Sequence, residues 1–490
     1  MTRMWSQELD ILPLHKGNKP LLLLLLLDIF LSKFKMKLQH LLKLYSLKTE
    51  IILFILDIIM NFKRLTLLRC CEKSFDSRPT SPLLSKPSRE KYKYQRPHFL
   101  KLETEDEIQV TADHAVRPII VPRDVSALPW NAGYAETING GKSRHNEDQA
   151  MARQGSIGVL VGGKLHQIHY TVFAVFDGHA GAGCAVTASN DLWSAVQARL
   201  ESVATQLVGE EGGTKWFTRT ISKESLVIGA LESAFWDTDQ QIGEEKKIYH
   251  MAGGCTVLMA VFILGKLYVA NAGDSRGVLC RASKAYPMSY DFTPVTERTR
   301  LMQLGKVSPH LLGEEYTWLE YSRRPLRKDI GSRMLYRDAH MTGWAYKIIQ
   351  ESDMKFPMVF GEGKRSRLLA TIGVTRGLGD HDLRAQAGSG TIFIKPFLSP
   401  QPEVRVLDVD VENITSDDVL VLATDGLWDV VSNEEVASIV SRGLQAWDNE
   451  SKAGKYRYIS LAQVMPGIVL LYFRIKILIF CNFHSQKIII

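Results

Sequence analysis

The chain has 490 residues, with 60 Lys and Arg against 53 Asp and Glu, a net charge of +7, and hydrophobic residues at 45 %. That length exceeds one minimal domain and leaves room for a large catalytic core with appendages. The positive excess lies in the first hundred and last thirty residues, whereas the middle is near balance and has no basic stripe with interleaved aromatics, so no nucleic-acid partner is expected.

In chain order, Pro20 to Leu31 contains seven consecutive leucines followed by Asp28, and Ile51 to Phe62 repeats the theme around Asp57. Each run falls short of the ~18–20 residues needed to span a bilayer, and no small-residue cleavage site follows the first. A hairpin anchor or an interfacial helix would make the chain membrane-associated. The Leu/Ile/Lys-heavy texture fits translated non-coding sequence better. Residues 1–75 are therefore set apart as an atypical leader. Residues 76–95, rich in Pro, Ser and charge, have the composition of a linker. Folded-domain texture runs from Arg96 to about residue 465, with an irregular, charged and aromatic insertion at 281–365. An apolar tail, 466–490, follows.

Within that domain, Tyr134 to Ala150 pairs a Gly-Gly turn signal with a polar run that ends in Glu147 and Asp148. Val172 to Phe176 has the length and β-branched content of a buried strand, and it ends abruptly in Asp177, Gly178 and His179. Residues 182–207 and 226–242 carry apolar side chains at helical spacing, as amphipathic helices laid on a sheet would. Two apolar runs flank Gly265-Lys266, a hairpin signal, and the second ends in Gly273-Asp274. A further apolar strand, Val419 to Ala423, runs into Asp425-Gly426, with Asp429 close behind. Ser432 to Glu435 fits a capping box that opens a helix. In the tail, Arg474 and Lys476 alternate with Ile475 and Ile477, a pattern compatible with a strand or with non-coding sequence.

The recurring feature is an acid delivered at a strand end. Clustered carboxylates repel and raise one another's pKa unless a cation compensates them. Magnesium and manganese favour such oxygen ligands, whereas zinc would want Cys or His, and His179 alone stands near. Two ions about 4 Å apart can share a water and lower its pKa for attack on phosphorus. The leaving alkoxide of a phosphoserine or phosphothreonine needs a proton, and His179 is the natural donor. Arg144 and Lys142 are placed in sequence to hold phosphate oxygens. The bland alternative is that each acid caps a turn. The six cysteines form no CxxC pair, and Cys184, Cys255 and Cys280 lie singly in apolar or Gly-rich surroundings. An intracellular location, cytoplasmic or nuclear, is expected.

The segments RHNED at 144–148, FDGHAG at 176–181, AGDSR at 272–276, TRGLGD at 375–380 and ATDGLWDVVSNEE at 423–435 resemble, in order, the motif series of the metal-dependent serine/threonine protein phosphatases, the 2C (PPM) family. The resemblance covers about Arg96 to Ala462, and its wording is nearest to the subgroup containing protein phosphatases 1H, 1J and 1M. It implies an α+β fold: a PPM-type central β-sandwich of two antiparallel sheets flanked by α-helices. It further implies two Mn2+ or Mg2+ ions bridged by Asp177. The Gly178 carbonyl would sit on one ion and Asp425 on the other. Glu147 and Asp148 would act directly or through water, and Asp274 and Asp429 would serve a third, weaker ion. His179 matches the general acid and acts with Asp177 in catalysis. Arg376 and Asp380 match a family motif and are expected to be structural.

Two departures qualify the resemblance. Ser143 stands where the family's phosphate-holding arginine is usual, which passes that role to Lys142 or Arg144. No acid follows Glu450, so the last metal ligand and the strand that carries it are missing, the sandwich is C-terminally incomplete, and an edge is exposed for the apolar tail to patch. The expected function is dephosphorylation of phosphoserine or phosphothreonine in a protein substrate chosen by the 281–365 insertion. The alternative is an inactive isoform that binds phosphoproteins or competes with the intact enzyme.

Overall fold

A computed structural model describes residues 91–102, 119–130, 132–137, 146–209, 214–216, 219–387, 390–415, 417–448, 458, 461–462 and 477–482. The leader, most of the linker, and Lys142 and Arg144 lie outside the described residues.

Two five-stranded antiparallel sheets dominate. The first is ordered β2-β3-β6-β7-β11, from Gln149–Val161, Lys164–Phe176, Val257–Ile263, Lys266–Ala272 and Glu403–Asp408. The second is ordered β1-β13-β12-β8-β9, from Gly133–Glu136, Ile477–Asn482, Val419–Ala423, Arg276–Arg281 and Lys284–Pro287. Alternation along the strands explains why they stack, because successive side chains leave a strand on opposite faces. In β3, Phe173 and Val175 join Leu258 and Ala260 of β6 and Leu420 and Leu422 of β12 in the core between the sheets. Val172, Ala174 and Phe176 point the other way, onto the helices.

Helix α1 (Gly183–Ser202) buries Ala185, Ala188, Leu192, Val196 and Leu200 at spacings of three and four, and Trp193 beside them. Helix α2 (Lys223–Tyr249) buries Val227, Leu231, Ala234 and Phe235 against the same face, and the Ser222 hydroxyl caps its start by accepting from the Ser225 amide at 3.1 Å. On the outer face of the second sheet, Val436, Ala437, Val440 and Leu444 of α4 (Asn433–Asp448) cover Val419 and Val421. The capping box expected at its start is formed: the Ser432 amide donates to Glu435 Oε2 at 2.9 Å and the Glu435 amide to Ser432 Oγ at 3.2 Å. The hairpin between β6 and β7 turns at Leu264 and Gly265, both at positive φ, one residue earlier than the sequence signal.

The tail enters the second sheet, as the patching of an exposed edge requires. Strand β13 pairs with β1 from Gly133–Phe480 to Glu136–Ile477, and with β12 from Val419–Asn482 to Ala423–Leu478. Tail residues thus patch the edge beside β12. The stretch expected as an insertion, 281–365, is more ordered than its lack of periodicity implied, and its first strand, β9, belongs to the second sheet itself. The stretch also contains helix α3 (Arg298–Val307) and a three-stranded sheet of Glu320–Tyr321, Arg333–Arg337 and Ala345–Ile348. Leu301, Met302 and Leu312 share a separate core with Leu368, Ile394 and Phe397, which lie beyond residue 365. Among the described residues, no helix is long and apolar enough to cross a membrane.

Candidate active site

The motif segments meet at one end of the sandwich, and a small third sheet explains how. Its strands are β4 (Gly178–His179), β5 (Gly254–Cys255) and β10 (Leu378–Gly379), in the order β10-β5-β4. The chain leaves β3 at Phe176, turns through buried Asp177, and enters β4 at once. The Thr256 amide donates to the Asp177 carbonyl at 2.9 Å, which fixes that turn. Gly178 is required by close approach: a Cβ there would lie 2.1 Å from the Glu147 carbonyl oxygen. The Glu147 side chain reaches the same turn and accepts from the Gly181 amide at 2.7 Å. Asp148 is buried beside it, its amide donating to Asn146 Oδ1 at 3.2 Å.

Asp274 follows β7, and Asp425 follows β12, so each sheet contributes an acid at its end. Enclosure by the surrounding atoms pushes the Asp274 carboxyl well above the usual carboxylate range, and the charges of Asp425, Asp177 and Asp291 push it further. Three of the expected acids therefore act on one another, together with Asp291, which the sequence did not single out. Asp429 lies one helical turn after Asp425 and donates its amide to the Asp425 carbonyl at 2.8 Å. From the insertion, the Lys364 ammonium donates to the Asp429 carbonyl at 2.9 Å and stands 3.1 Å from its carboxylate.

Among the described residues, no three His, Cys, Asp or Glu side chains are drawn together at the spacing that would hold an ion by themselves. The donor set is nevertheless that of a hard cation: carboxylates within electrostatic reach of one another and backbone carbonyls at the same turn. Magnesium-type ions take much of their octahedral shell from water and carbonyl oxygen, so tight convergence of side chains is not required.

His179 is 31 % exposed and its Nε2 lies 2.7 Å from Oδ2 of Asp380, which is 3 % exposed. Arg376, from the same motif, instead makes a two-point pair with Glu297 at 2.7 and 3.0 Å and lies over the Phe292 ring. The sequence treated these two residues alike, and the structure separates them. TRGLGD signalled a turn, but nothing in it showed which strand the turn would face. Asp291 carries no motif signal at all. Of the expected site residues, Asp177, Gly178, His179, Glu147, Asp148, Asp274, Asp425 and Asp429 are gathered at this end of the molecule. The phosphate contacts expected of Lys142 and Arg144 lie outside the described residues.

Sequence comparison supplies the class that acids delivered by two stacked sheets leave open. The family model for protein phosphatase 2C matches residues 137–324 and 349–460, and the chain belongs to that family of metal-dependent protein serine/threonine phosphatases. Its relatives include protein phosphatase 1H of Rattus norvegicus, 45 % identical over 76 % of this chain and 85 % of that protein. Protein phosphatase 1H of Homo sapiens is 44 % identical over the same shares. Protein phosphatase 1J of Homo sapiens is 44 % identical over 76 % of this chain and 79 % of its own length. The family match stops before β13, so that strand stands outside the shared region.

Proposed function

We propose that this chain removes phosphate from phosphoserine and phosphothreonine in proteins at the acid-lined end of the sandwich. The observation that carries this reading is that Asp177, Asp274 and Asp425 follow β3, β7 and β12 at the same end of the sandwich, within electrostatic reach of one another. Such a site gains most from a divalent cation. Asp177, Asp425 and the Gly178 carbonyl would hold Mn2+ or Mg2+, with Glu147 and Asp148 beside them and Asp274 and Asp429 serving a weaker third ion. Bound there, the ions supply Lewis acidity and an acidified water at neutral pH. The Asp177 backbone is fixed by its turn, and the Glu147 carboxylate is held by the Gly181 amide. His179, partly open to solvent at the cleft, gives its proton to the departing serine or threonine oxygen. Lys142 and Arg144 hold the phosphate.

The insertion selects the phosphoprotein, because Lys364 brings it against Asp429 at the site. Cys184, Cys255 and Cys280 are buried free thiols, which fits a reducing intracellular compartment.

Manganese-dependent release of phosphate from a phosphothreonine peptide tests the reading. Asp177→Ala should lower kcat at least ~100-fold, the scale of losing a principal electrostatic group. Metal-independent binding of the peptide without turnover would replace it with a phosphoprotein-binding role.

A further inference from the structure

The register of the small sheet places His179 opposite Gly254, and Gly254 opposite Gly379, so the three residues form one row across the strands. Asp380 comes immediately after Gly379, and its carboxylate crosses over Gly254 to reach His179. A Cβ on Gly254 would lie 2.2 Å from Asp380 Oδ2, so the path exists because that residue has no side chain. Asp380 itself sits at φ +56°, the left-handed region that aspartate tolerates better than most residues. Backbone groups close its loop: the Asp380 amide donates to the Gly253 carbonyl at 2.9 Å, and its carbonyl accepts from the Leu383 amide at 3.0 Å.

Behind the loop stands a second buried acid. Asp239 of α2 accepts from the Gly379 amide at 2.8 Å and from Lys395 Nζ at 2.6 Å, and its Oδ1 is 3.2 Å from His381 Nε2. The loop is therefore anchored without the Asp380 side chain. That leaves the carboxylate for the imidazole, and burial of the Asp380 end makes the hydrogen bond directional.

We propose that Asp380 is a positioning residue that fixes the His179 imidazole toward the leaving-group oxygen, with Asp239 holding Asp380 in place through Gly379. This rests on the reading of His179 as the proton donor given above. In the step, water oxygen forms a bond to phosphorus as the bond from phosphorus to the threonine oxygen breaks. The electron pair leaves with that oxygen, which takes a proton from one imidazolium nitrogen and becomes the threonine hydroxyl. The other nitrogen keeps its hydrogen bond to Asp380, the attacking water releases a proton to solvent as it becomes a phosphate oxygen, and the ring takes a proton back from solvent.

The test compares two substrates with Mn2+ present: a phosphothreonine peptide, whose alkoxide needs a proton, and 4-nitrophenyl phosphate, whose phenolate does not. Asp380→Asn, which keeps the shape and the left-handed preference, and Asp380→Ala should each lower kcat on the peptide about 10- to 100-fold, with KM within about twofold. On the aryl ester, kcat should stay within about threefold. In a His179→Ala background, removing Asp380 should cost no more than about twofold on the peptide. Equal losses on both substrates, or full additivity with His179→Ala, would overturn the proposal. The ring nitrogen NMR signals of His179 in the metal-free protein give a reading independent of turnover. One ordered tautomer in the wild type, averaged in Asp380→Ala, supports positioning, and an averaged ring in the wild type overturns it. A wild-type chain with an ordered ring but no turnover would sink the proposed function and leave the Asp380 contact standing.

Discussion

The two sheets of the sandwich are assembled from the chain in different ways. In the first, β2-β3 and β6-β7 are hairpins, and four of the five strands come from residues 149–272. In the second, neighbours are remote: β13 lies between β1 and β12, so residues near 480 pair with residues near 134 and 421. Yet each sheet supplies an acid of the proposed site, Asp274 after β7 and Asp425 after β12. The proposed chemistry thus depends on a locally built layer and a long-range one being held in register, and the long-range layer is held by a strand from outside the family match.

The largest expected effect attacks that dependence. Deleting residues 466–490 removes β13 and strips β1 and β12 of a shared partner. The loss should be on the order of 5 kcal/mol or more, comparable with the whole stability of an ordinary domain. Urea denaturation measures it, and hydrogen exchange shows where it falls. Amides of β12 should lose protection before those of β3, and retained protection in β12 would remove the contrast between the layers. Next comes the seam between them. Phe173 is fully buried among Leu258, Leu420 and Leu422, so Phe173→Ala should cost about 3–5 kcal/mol in a denaturant titration. A much smaller cost would mean that the seam is loosely packed.

A smaller effect sharpens the role of α2, which packs on the first sheet. Burial pulls the Asp239 carboxyl upward, but His381 and Lys395 outweigh it and hold the group below the usual 3.8. A depressed folded-state value contributes stability above pH 3.8 that is lost as pH falls through the folded value. Asp239→Asn should therefore cost about 1–3 kcal/mol at pH 7, and the deficit should shrink as the pH drops below 4, as thermal melts across that range would show. A deficit unchanged between pH 7 and pH 3 would rule out the charge as its source. Smallest of all, Lys364→Met breaks a largely exposed pair with Asp429 and should move stability by no more than about 0.5 kcal/mol. Any larger consequence should appear in KM for a protein substrate and not in melting.

Much of this was legible in the sequence. The strand ending at Phe176, both long helices, the Ser432–Glu435 box and the acids at strand ends carry short-range signals of period, capping and turn chemistry. What was not legible was set by pairing at a distance. Nothing local to Ile477–Asn482 says whether it is a strand at all, because its β-branched apolar run becomes structure only beside β1 and β12. The same holds for Asp380. Its motif is visible, but its partner depends on a three-strand register that joins residues near 179, 254 and 379. The insertion hid its order for a related reason: its core draws on residues past 365, so no window within it shows a complete apolar pattern.

The position of β13 has a consequence for how the molecule is made. At ~5–20 residues per second, a ribosome delivers β2 through β7 early, and hairpin pairing lets them settle as they emerge. Strands β1 and β12 then wait seconds for the residues that separate them. During that interval two apolar backbone edges are open to any passing strand. Nascent chains of this protein should lean on chaperones late in synthesis, and a stall shortly before residue 477 should be the one most prone to aggregate.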